Sequence, residues 1–199
     1  NPVKLTITNY NGNEDVDFDI NPNDENSGTR KIKFSKNLYI DADDFSLAPP
    51  PKYFRLKKGG MVRLKSAYIV RCDDVLTDEN GNVTELLCSY LPESKSGNDT
   101  SGIKVKGTIQ WVNADDCVDT EIRKYGYLLK DEEYSGQDFS ERMNENSVTV
   151  YNGKVEPYVF KGDADKPYQL IRTGYFKRLS RNGKEIVSEI VSLKDNFNK

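Results

Sequence analysis

Hydrophobic and polar residues alternate along much of this sequence, which is the period of a β-strand with one buried face. The pattern is clear in residues 3–8 and 15–20, where every second side chain is apolar. The same criterion predicts further strands at residues 31–40, 61–75, 83–90, 103–112, 121–129, 147–151, 168–179 and 185–193. A short helix is predicted only at residues 137–144. About ten short strands predict an all-β protein built from antiparallel barrels or sandwiches.

Three of the four Asn-Gly pairs in the sequence are interpreted as hairpin turns between predicted strands. Asn80-Gly81, Asn152-Gly153 and Asn182-Gly183 each suit a tight two-residue turn, in which both central residues adopt positive φ. We therefore predict three hairpins centred on these pairs.

The three cysteines and the absence of histidine argue against a metal site. Cys72, Cys88 and Cys117 lack CxxC spacing, so a zinc ion would depend on thiolates and carboxylates alone. We expect three reduced cysteines, packed as small apolar groups. A two-residue turn at Asn80-Gly81 would pair Asp73 with Cys88, which would point the thiols of Cys72 and Cys88 to opposite faces of the sheet.

Catalysis by this chain alone is not expected. Serine or cysteine hydrolysis in its usual form needs an imidazole base, and no GxSxG, GxxxxGK[ST] or GxGxxG motif is found. The acidic runs at residues 41–44 and 131–133 are interpreted as solvated loop charge. No apolar span of membrane length and no signal peptide are found, so we expect a cytoplasmic protein.

Positive charge is concentrated in one segment of a slightly acidic chain. Residues 45–72 contain no acid and hold seven of the 29 lysines and arginines, although the net charge is −3. On a single strand over residues 61–75, Arg63, Lys65 and Arg71 would share the face opposite the core. Aromatic side chains interleave with this charge at Tyr53 and Phe54. Such a surface suits an unpaired nucleic acid strand, and it also suits a solvated face that keeps the protein soluble.

Seven motifs in this order resemble one family. They are FSKNLYIDADDF, KYFRLKKGGMVRLKSAYIV, the following Asn-Gly turn, VKGTIQWV, EIRKYGYLL, VEPY and YQLIRTGYF. Together they resemble the C-terminal half of glutaminyl-tRNA synthetases over nearly the whole chain.

The resemblance implies two antiparallel β-barrels related to ribosomal protein L25, which hold the anticodon loop of glutamine tRNA. We expect the distal barrel at residues 1–117 and the proximal barrel at residues 118–199, with the N-terminal strand as a further candidate strand of the proximal barrel. It also implies that the catalytic domain, which uses ATP, precedes residue 1, so the chain is expected to be a fragment without a cofactor of its own. Its expected partners are glutamine tRNA and that catalytic domain, and we expect a monomer.

The resemblance also assigns roles to residues of the basic segment. Arg55 is expected near the third anticodon base and Arg63 near the first. Lys65 stands where the family has a second arginine, so it keeps the charge but loses the bidentate fork. Lys52 and Phe54 replace a glutamine and a lysine, and Phe54 could stack on a base.

Further contacts are expected outside those strands. Phosphates are expected to contact Lys57 and Lys58. Gln169 and Arg172 match residues that the family uses on the central and third bases. They are three positions apart, so a shared site needs a bulge or a strand end. The residues expected to approach from the other side are Arg30 and Asn23.

Alternatives remain at this point. A glutamyl-tRNA synthetase of the archaeal or eukaryotic type shares this architecture, and a β-sandwich that binds proteins or carbohydrates would leave the basic face solvated. Gln169 could be an ordinary strand residue and Arg172 an ion-pair partner on the surface. Trp111 is interpreted as a core residue because its neighbours alternate as in a barrel strand.

Overall fold

The computed structural model of this protein describes residues 1–130 and 138–193. Within these residues the chain forms fourteen β-strands and two α-helices of four residues each, so the all-β prediction is confirmed. Neither helix is long enough to cross a membrane. The chain divides into two compact units, Asn1–Val118 and Asp119–Lys199. The assignment of these regions to a distal and a proximal RNA-binding barrel remains a prediction.

Nine strands make up the first unit. They are β1 (Pro2–Ile7), β2 (Glu14–Asp19), β3 (Thr29–Phe34), β4 (Asn37–Asp41), β5 (Met61–Leu64), β6 (Ile69–Thr77), β7 (Val83–Tyr90), β8 (Thr108–Ile109) and β9 (Val112–Asn113). Seven of them form a sheet with the order β8-β5-β6-β7-β1-β4-β9, and β2 pairs with β3 as a separate ribbon. The N-terminal strand β1 therefore belongs to the sheet of the first unit and does not complete the second, although the sequence allows this alternative. The sheet is mixed, because β1 runs parallel to β7 and β5 runs parallel to β8.

The ribbon and the sheet enclose an aromatic core. Trp111 is 1% exposed and makes edge-on contacts with Phe18 and Phe34, whose ring centroids lie 5.8 and 5.2 Å away. Its indole N–H donates a 2.9 Å hydrogen bond to the carbonyl of Lys65. The prediction that Trp111 packs in the core is confirmed.

The segment predicted as a single strand over residues 61–75 is two strands. The chain turns at residues 65–68, where Ser66 has φ 58° and the Ala67 N–H bonds to the Leu64 carbonyl at 2.9 Å. β5 and β6 then pair antiparallel, with Met61 opposite Arg71. Lys65 therefore lies in a turn and not on the strand face predicted for it.

The second unit contains a five-stranded sheet and the two helices. Its elements are β10 (Val118–Tyr125), α1 (Phe139–Arg142), β11 (Val148–Val155), α2 (Tyr158–Lys161), β12 (Pro167–Leu170), β13 (Gly174–Arg181) and β14 (Lys184–Ser192). The strand order is β11-β10-β14-β13-β12, and β10 runs parallel to β14. The short helix predicted at residues 137–144 corresponds to α1, although residue 137 lies outside the described residues, as do the acids at 131–133.

The three Asn-Gly pairs predicted as hairpin turns adopt three different conformations. Asn182-Gly183 forms the predicted turn, with φ of 51° and 76° between the paired residues Arg181 and Lys184. At Asn80-Gly81 only the glycine has positive φ, 81°, and the loop is longer than two residues. The turn predicted at Asn152-Gly153 is wrong, because both residues lie inside β11. Gly153 is needed there for packing, since a Cβ would lie 2.3 Å from Cδ1 of Ile122.

The predicted register of the cysteines is also wrong. Asp74 pairs with Leu87, as the turn predicts, but an irregularity at Asp73 shifts β6 by one residue, so that Cys72 pairs with Cys88. Both side chains are fully buried in the same core, and both cysteines are free thiols. The two thiols therefore lie side by side instead of on opposite faces.

Candidate nucleic-acid interface

The first unit has a groove of about 260 Å³ lined mainly by basic and aromatic side chains. We call it the cation groove, and its lining residues are 53–55, 57, 60–61 and 103–107. The lining includes the cations Arg55, Lys57, Lys104 and Lys106 and contains no acid. Its walls come from the segment before β5 and from the extended segment that leads into β8. A groove of this composition favours a ligand with negative charge and a flat apolar surface.

Phe54 provides the exposed ring of the cation groove. The residue is 50% exposed, and the Lys106 ammonium lies 5.0 Å from its ring centroid. Gly107 lets the two walls come this close, because a Cβ there would lie 1.8 Å from the Phe54 carbonyl oxygen. β5 fixes the second wall, since the Arg63 N–H bonds to the Gly107 carbonyl at 2.9 Å. The backbone of Phe54 is therefore packed closely against the second wall of the groove.

Arg55 is held by two neighbouring aspartates. Its Nη1 donates to the backbone carbonyl of Asp43 at 2.7 Å, and its Nε lies 3.5 Å from Oδ1 of Asp44. The Asp44 side chain is only 8% exposed, so the prediction that this acid is solvated loop charge is wrong. Arg55 itself remains 41% exposed and keeps donors for a further acceptor.

Arg63 is more strongly engaged within the unit. Its Nη1 donates to the Ser94 carbonyl at 2.6 Å and to Ser96 Oγ at 3.2 Å, and its Nη2 pairs with the Asp99 carboxylate. The same segment is also tied to β6, because the Ile69 N–H bonds to Ser94 Oγ at 2.8 Å. Arg63 therefore braces the segment from Ser94 to Asp99, and its guanidinium is not presented openly on a strand face.

Asp99 is itself stabilised as a carboxylate. Its Oδ1 accepts bonds from the Ser101 hydroxyl at 2.7 Å and the Ser101 N–H at 2.9 Å. These bonds, together with the Arg63 guanidinium, hold the pKa of Asp99 below its usual range. The expectation of a basic surface clear of carboxylates is therefore wrong at Arg55 and Arg63, and their contacts with RNA remain predictions.

The lysines of the basic segment differ in whether a carboxylate partner engages them. Lys58 pairs with Asp74 at 2.6 Å, and this carboxylate raises the lysine's pKa. Lys52, Lys57 and Lys65 have no carboxylate partner among the residues that the structure describes. Lys52 and Lys57 are exposed, and Lys52 lies in a turn with φ 63°. These three lysines keep their charge available to an anionic ligand.

Gln169 and Arg172 lie at one end of β12 in the second unit. Gln169 is exposed on this edge strand and pairs with Tyr175. Arg172 is exposed in the turn after the strand, with φ 65°. Because Arg172 lies beyond the end of β12, strand alternation does not place its side chain on the face opposite that of Gln169. The strand end that a shared site needs is therefore present. The contacts of Gln169 and Arg172 with anticodon bases remain predictions.

Arg30 and Asn23 lie on the ribbon of the first unit and in the loop that joins its strands. The Arg30 guanidinium donates to the Asp19 carbonyl at 2.6 Å and lies 5.4 Å from the Phe18 ring centroid. Asn23 is exposed, and its N–H bonds to Oδ1 of Asn21 at 3.0 Å. Their predicted contacts with RNA are not tested by these interactions.

Lys104 and Lys106 were not identified as candidates from the sequence. They lie about fifty residues after Phe54, and the parallel pairing of β5 with β8 brings them to the same groove. The alternation in Ile103-Lys-Val-Lys106 was a usable signal, since it places the two lysines on one side of an extended segment. Among the described residues, no three Cys, Asp or Glu side chains form a cluster suited to a metal ion.

Comparisons with known proteins point to one family. The model for tRNA synthetases class I (E and Q), anticodon-binding domain, matches residues 1–91, and a second model of the same description matches residues 108–178. The glutamine–tRNA ligase of Clostridium perfringens is 46% identical over 99% of this chain, and that of Rhodopirellula baltica is 45% identical over 100%. The chain spans 37% and 34% of the lengths of these relatives.

Proposed function

Because the chain belongs to the anticodon-binding family of the class I tRNA synthetases for glutamate and glutamine, we propose that it binds the anticodon loop of glutamine tRNA. The observation that carries this proposal is the cation groove, which is lined by four cations and an exposed aromatic ring and by no acid. Unpaired RNA bases stack on such rings while lysines contact the adjacent phosphates.

The proposed binding begins with a base that leaves the loop stack and packs on Phe54. Lys106 already lies over this ring, so an incoming base displaces its ammonium toward the phosphate of the same nucleotide. Lys57 and Lys104 neutralise neighbouring phosphates. These contacts position the loop without distinguishing its sequence.

Discrimination between bases is assigned to groups with directional donors. Asp43 and Asp44 fix the orientation of Arg55, which can then present its remaining N–H groups to a base edge. A good bidentate contact of this kind is worth about 1–3 kcal/mol against the wrong base. Gln169 and Arg172 are proposed to supply further edge contacts at the end of β12.

Glutamine is favoured over glutamate because the relatives named above are glutamine–tRNA ligases. The β-sandwich alternative is not supported by the family match. Ligation of glutamine to tRNA with ATP is proposed for a whole protein of this kind, with catalysis assigned to a separate domain. A cytoplasmic location and a monomeric state are proposed on the same basis.

The decisive experiment measures binding to anticodon stem-loops of glutamine and glutamate tRNA as a function of salt. We expect tighter binding of the glutamine stem-loop and a slope of log affinity against log salt of about −3 to −4, which corresponds to about five neutralised phosphates on a single strand. A flat slope, or equal binding of both stem-loops and an unrelated hairpin, would refute the proposal.

Variants of the cation groove test the assignment of its residues. Phe54→Ala should weaken binding about tenfold, because base stacking on an aromatic ring contributes about 1–3 kcal/mol. Lys106→Ala should weaken binding and reduce the salt slope by about 0.7, the value expected for one phosphate contact on a single strand. Lys36→Ala is the matched control, since this exposed lysine lies outside the groove between β3 and β4. Equal binding by all three variants would show that the groove is not the site.

A further inference from the structure

Cys72 and Cys88 form a directly opposed pair on neighbouring strands in the middle of the sheet. The irregularity at Asp73 brings β6 and β7 into this register, and both cysteines are fully buried on the core side. Directly opposed residues on paired strands place their side chains on the same face. The two thiols are therefore neighbours in space although sixteen positions separate them in the sequence.

The backbone hydrogen bonds show which kind of pair this is. The Cys72 N–H donates to the Gly60 carbonyl at 3.0 Å, and the Cys72 carbonyl accepts from the Gly59 N–H at 2.7 Å. The Cys88 carbonyl accepts from the Thr8 N–H at 2.7 Å. The backbone polar groups of the pair thus point away from each other, toward residues 59–60 on one side and Thr8 on the other. In such a non-hydrogen-bonded pair the Cα atoms are about 4.5 Å apart, which is within the range of about 4.4–6.8 Å found in disulfides.

The thiols also interact with each other. The Cys72 thiol donates a 3.5 Å hydrogen bond to the Asp74 carbonyl. The interaction between the two thiols lowers the pKa of Cys72 and raises that of Cys88. The Lys58 ammonium also favours the Cys72 thiolate, whereas burial and the carboxylates of Asp73 and Asp74 oppose it. A thiolate on one sulfur is therefore stabilised by the thiol of the other.

We propose that Cys72 and Cys88 are an oxidation site, at which a peroxide converts the two thiols into a reversible cross-strand disulfide. The thiolate of one cysteine attacks one oxygen of the peroxide, the O–O bond breaks, and the cysteine becomes a sulfenic acid. The other oxygen leaves as hydroxide and takes up the thiol's proton to give water. The thiol of the second cysteine then attacks this sulfur, an S–S bond forms, and the sulfenic oxygen leaves as a second water with the second thiol's proton. With hydrogen peroxide, two thiols lose two protons and two electrons, and the peroxide is reduced to two molecules of water.

Burial of the pair determines how the reaction proceeds. Neither sulfur is exposed in the closed sheet, so the reaction follows a local opening of β6 and β7. Reversible disulfides of this kind are the ones that reducing compartments permit, as transient redox responses. Cys72 also carries both backbone bonds to the turn at Gly59 and Gly60, so the cross-link forms where this turn is attached.

The test uses the Cys117→Ser variant, which removes the partly exposed third thiol. After treatment with hydrogen peroxide under native conditions and unfolding in denaturant, we expect both remaining thiols to be lost. Mass spectrometry should show a monomer lighter by two hydrogens and a linked peptide that contains Cys72 and Cys88. Dithiothreitol should restore both thiols.

Two control variants keep the test decisive. Cys117→Ser combined with Cys72→Ala or with Cys88→Ala should give no internal cross-link. Retention of both thiols in Cys117→Ser, or oxidation of both sulfurs to separate sulfinic acids, would overturn the proposal. These readouts do not involve RNA, so they are independent of the proposed function.

Discussion

Glu14 is the centre of a partly buried hydrogen-bond network whose removal should destabilise the first unit. Its Oε1 accepts from the Tyr10 and Tyr68 hydroxyls at 3.0 and 2.7 Å, and its Oε2 accepts from the Lys95 ammonium. Glu14→Gln keeps one oxygen for the two tyrosines but places an amide N–H₂ against the Lys95 ammonium. The charge-assisted bond, worth about 1.5–3 kcal/mol, is therefore lost.

Partial solvent exposure reduces this cost. The side chains of Glu14 and Lys95 are 27% and 44% exposed, so screening by water weakens their attraction. We expect the free energy of unfolding of the first unit to fall by about 1–2 kcal/mol. With an ordinary denaturant dependence, the urea midpoint should fall by about 0.5–1 M. The fluorescence of Trp111 is a specific assay, because the only tryptophan of the chain lies in this unit's core.

The pH dependence provides the sharper part of this prediction. Burial opposes ionisation of Glu14, but hydrogen bonds from Lys95, Tyr68 and Tyr10 outweigh it and lower the pKa of its carboxyl. A carboxyl with a lowered pKa in the folded state stabilises the fold fully above its unfolded pKa of about 4.3, and this contribution is lost as the pH falls through the folded value. The difference between the wild type and Glu14→Gln should therefore shrink below about pH 4.3.

The control for this effect is Glu79→Gln, in the exposed hairpin turn. It should leave the urea midpoint unchanged at every pH. An equal midpoint for Glu14→Gln and the wild type at pH 7, or a difference that stays constant down to pH 3, would refute the reasoning.

Two further predictions concern other contacts. If Arg63 binds RNA, it must leave Asp99, so Asp99→Asn should strengthen stem-loop binding several-fold. The same substitution should have no effect when it is combined with Arg63→Ala. Unchanged binding by Asp99→Asn would leave Arg63 with only its bracing role. Gly153→Ala should destabilise the second unit by about 1 kcal/mol in thermal unfolding followed by circular dichroism, because the new Cβ overpacks against Ile122. Ile122→Val removes the clashing methyl and should restore part of this loss, whereas no recovery would argue against the contact.

The fold class was predictable because the alternation of apolar and polar residues is a local property. The same pattern did not show where a strand is interrupted. The even-numbered positions from 62 to 72 are apolar except Ser66, but Ser66 adopts a left-handed conformation and the chain turns back there. The Asn152-Gly153 pair has good turn chemistry, yet close packing against Ile122 places it inside β11. In both cases contacts distant in sequence decided the local structure.

The candidate site was only partly predictable because a sequence gives the order of charges along the chain and not their distances in the folded protein. The segment around Arg63 has no acid of its own, but Asp99 comes from a segment more than thirty residues later. Lys106 was missed for the same reason, since its proximity to Phe54 depends on the pairing of β5 with β8. The register of Cys72 was missed because a single irregularity at Asp73 cancels the prediction from the turn.

The position of β1 affects how this protein can be synthesised and altered. Although β1 is the first strand of the first unit, it lies inside the sheet, between β4 and β7. A nascent chain can pair β1 with β4 early. β1 can pair with β7, and so join the two halves of the sheet, only after residue 90 has left the ribosome. Deletion of these six residues would remove the link between the two halves of the sheet and expose two new strand edges to aggregation.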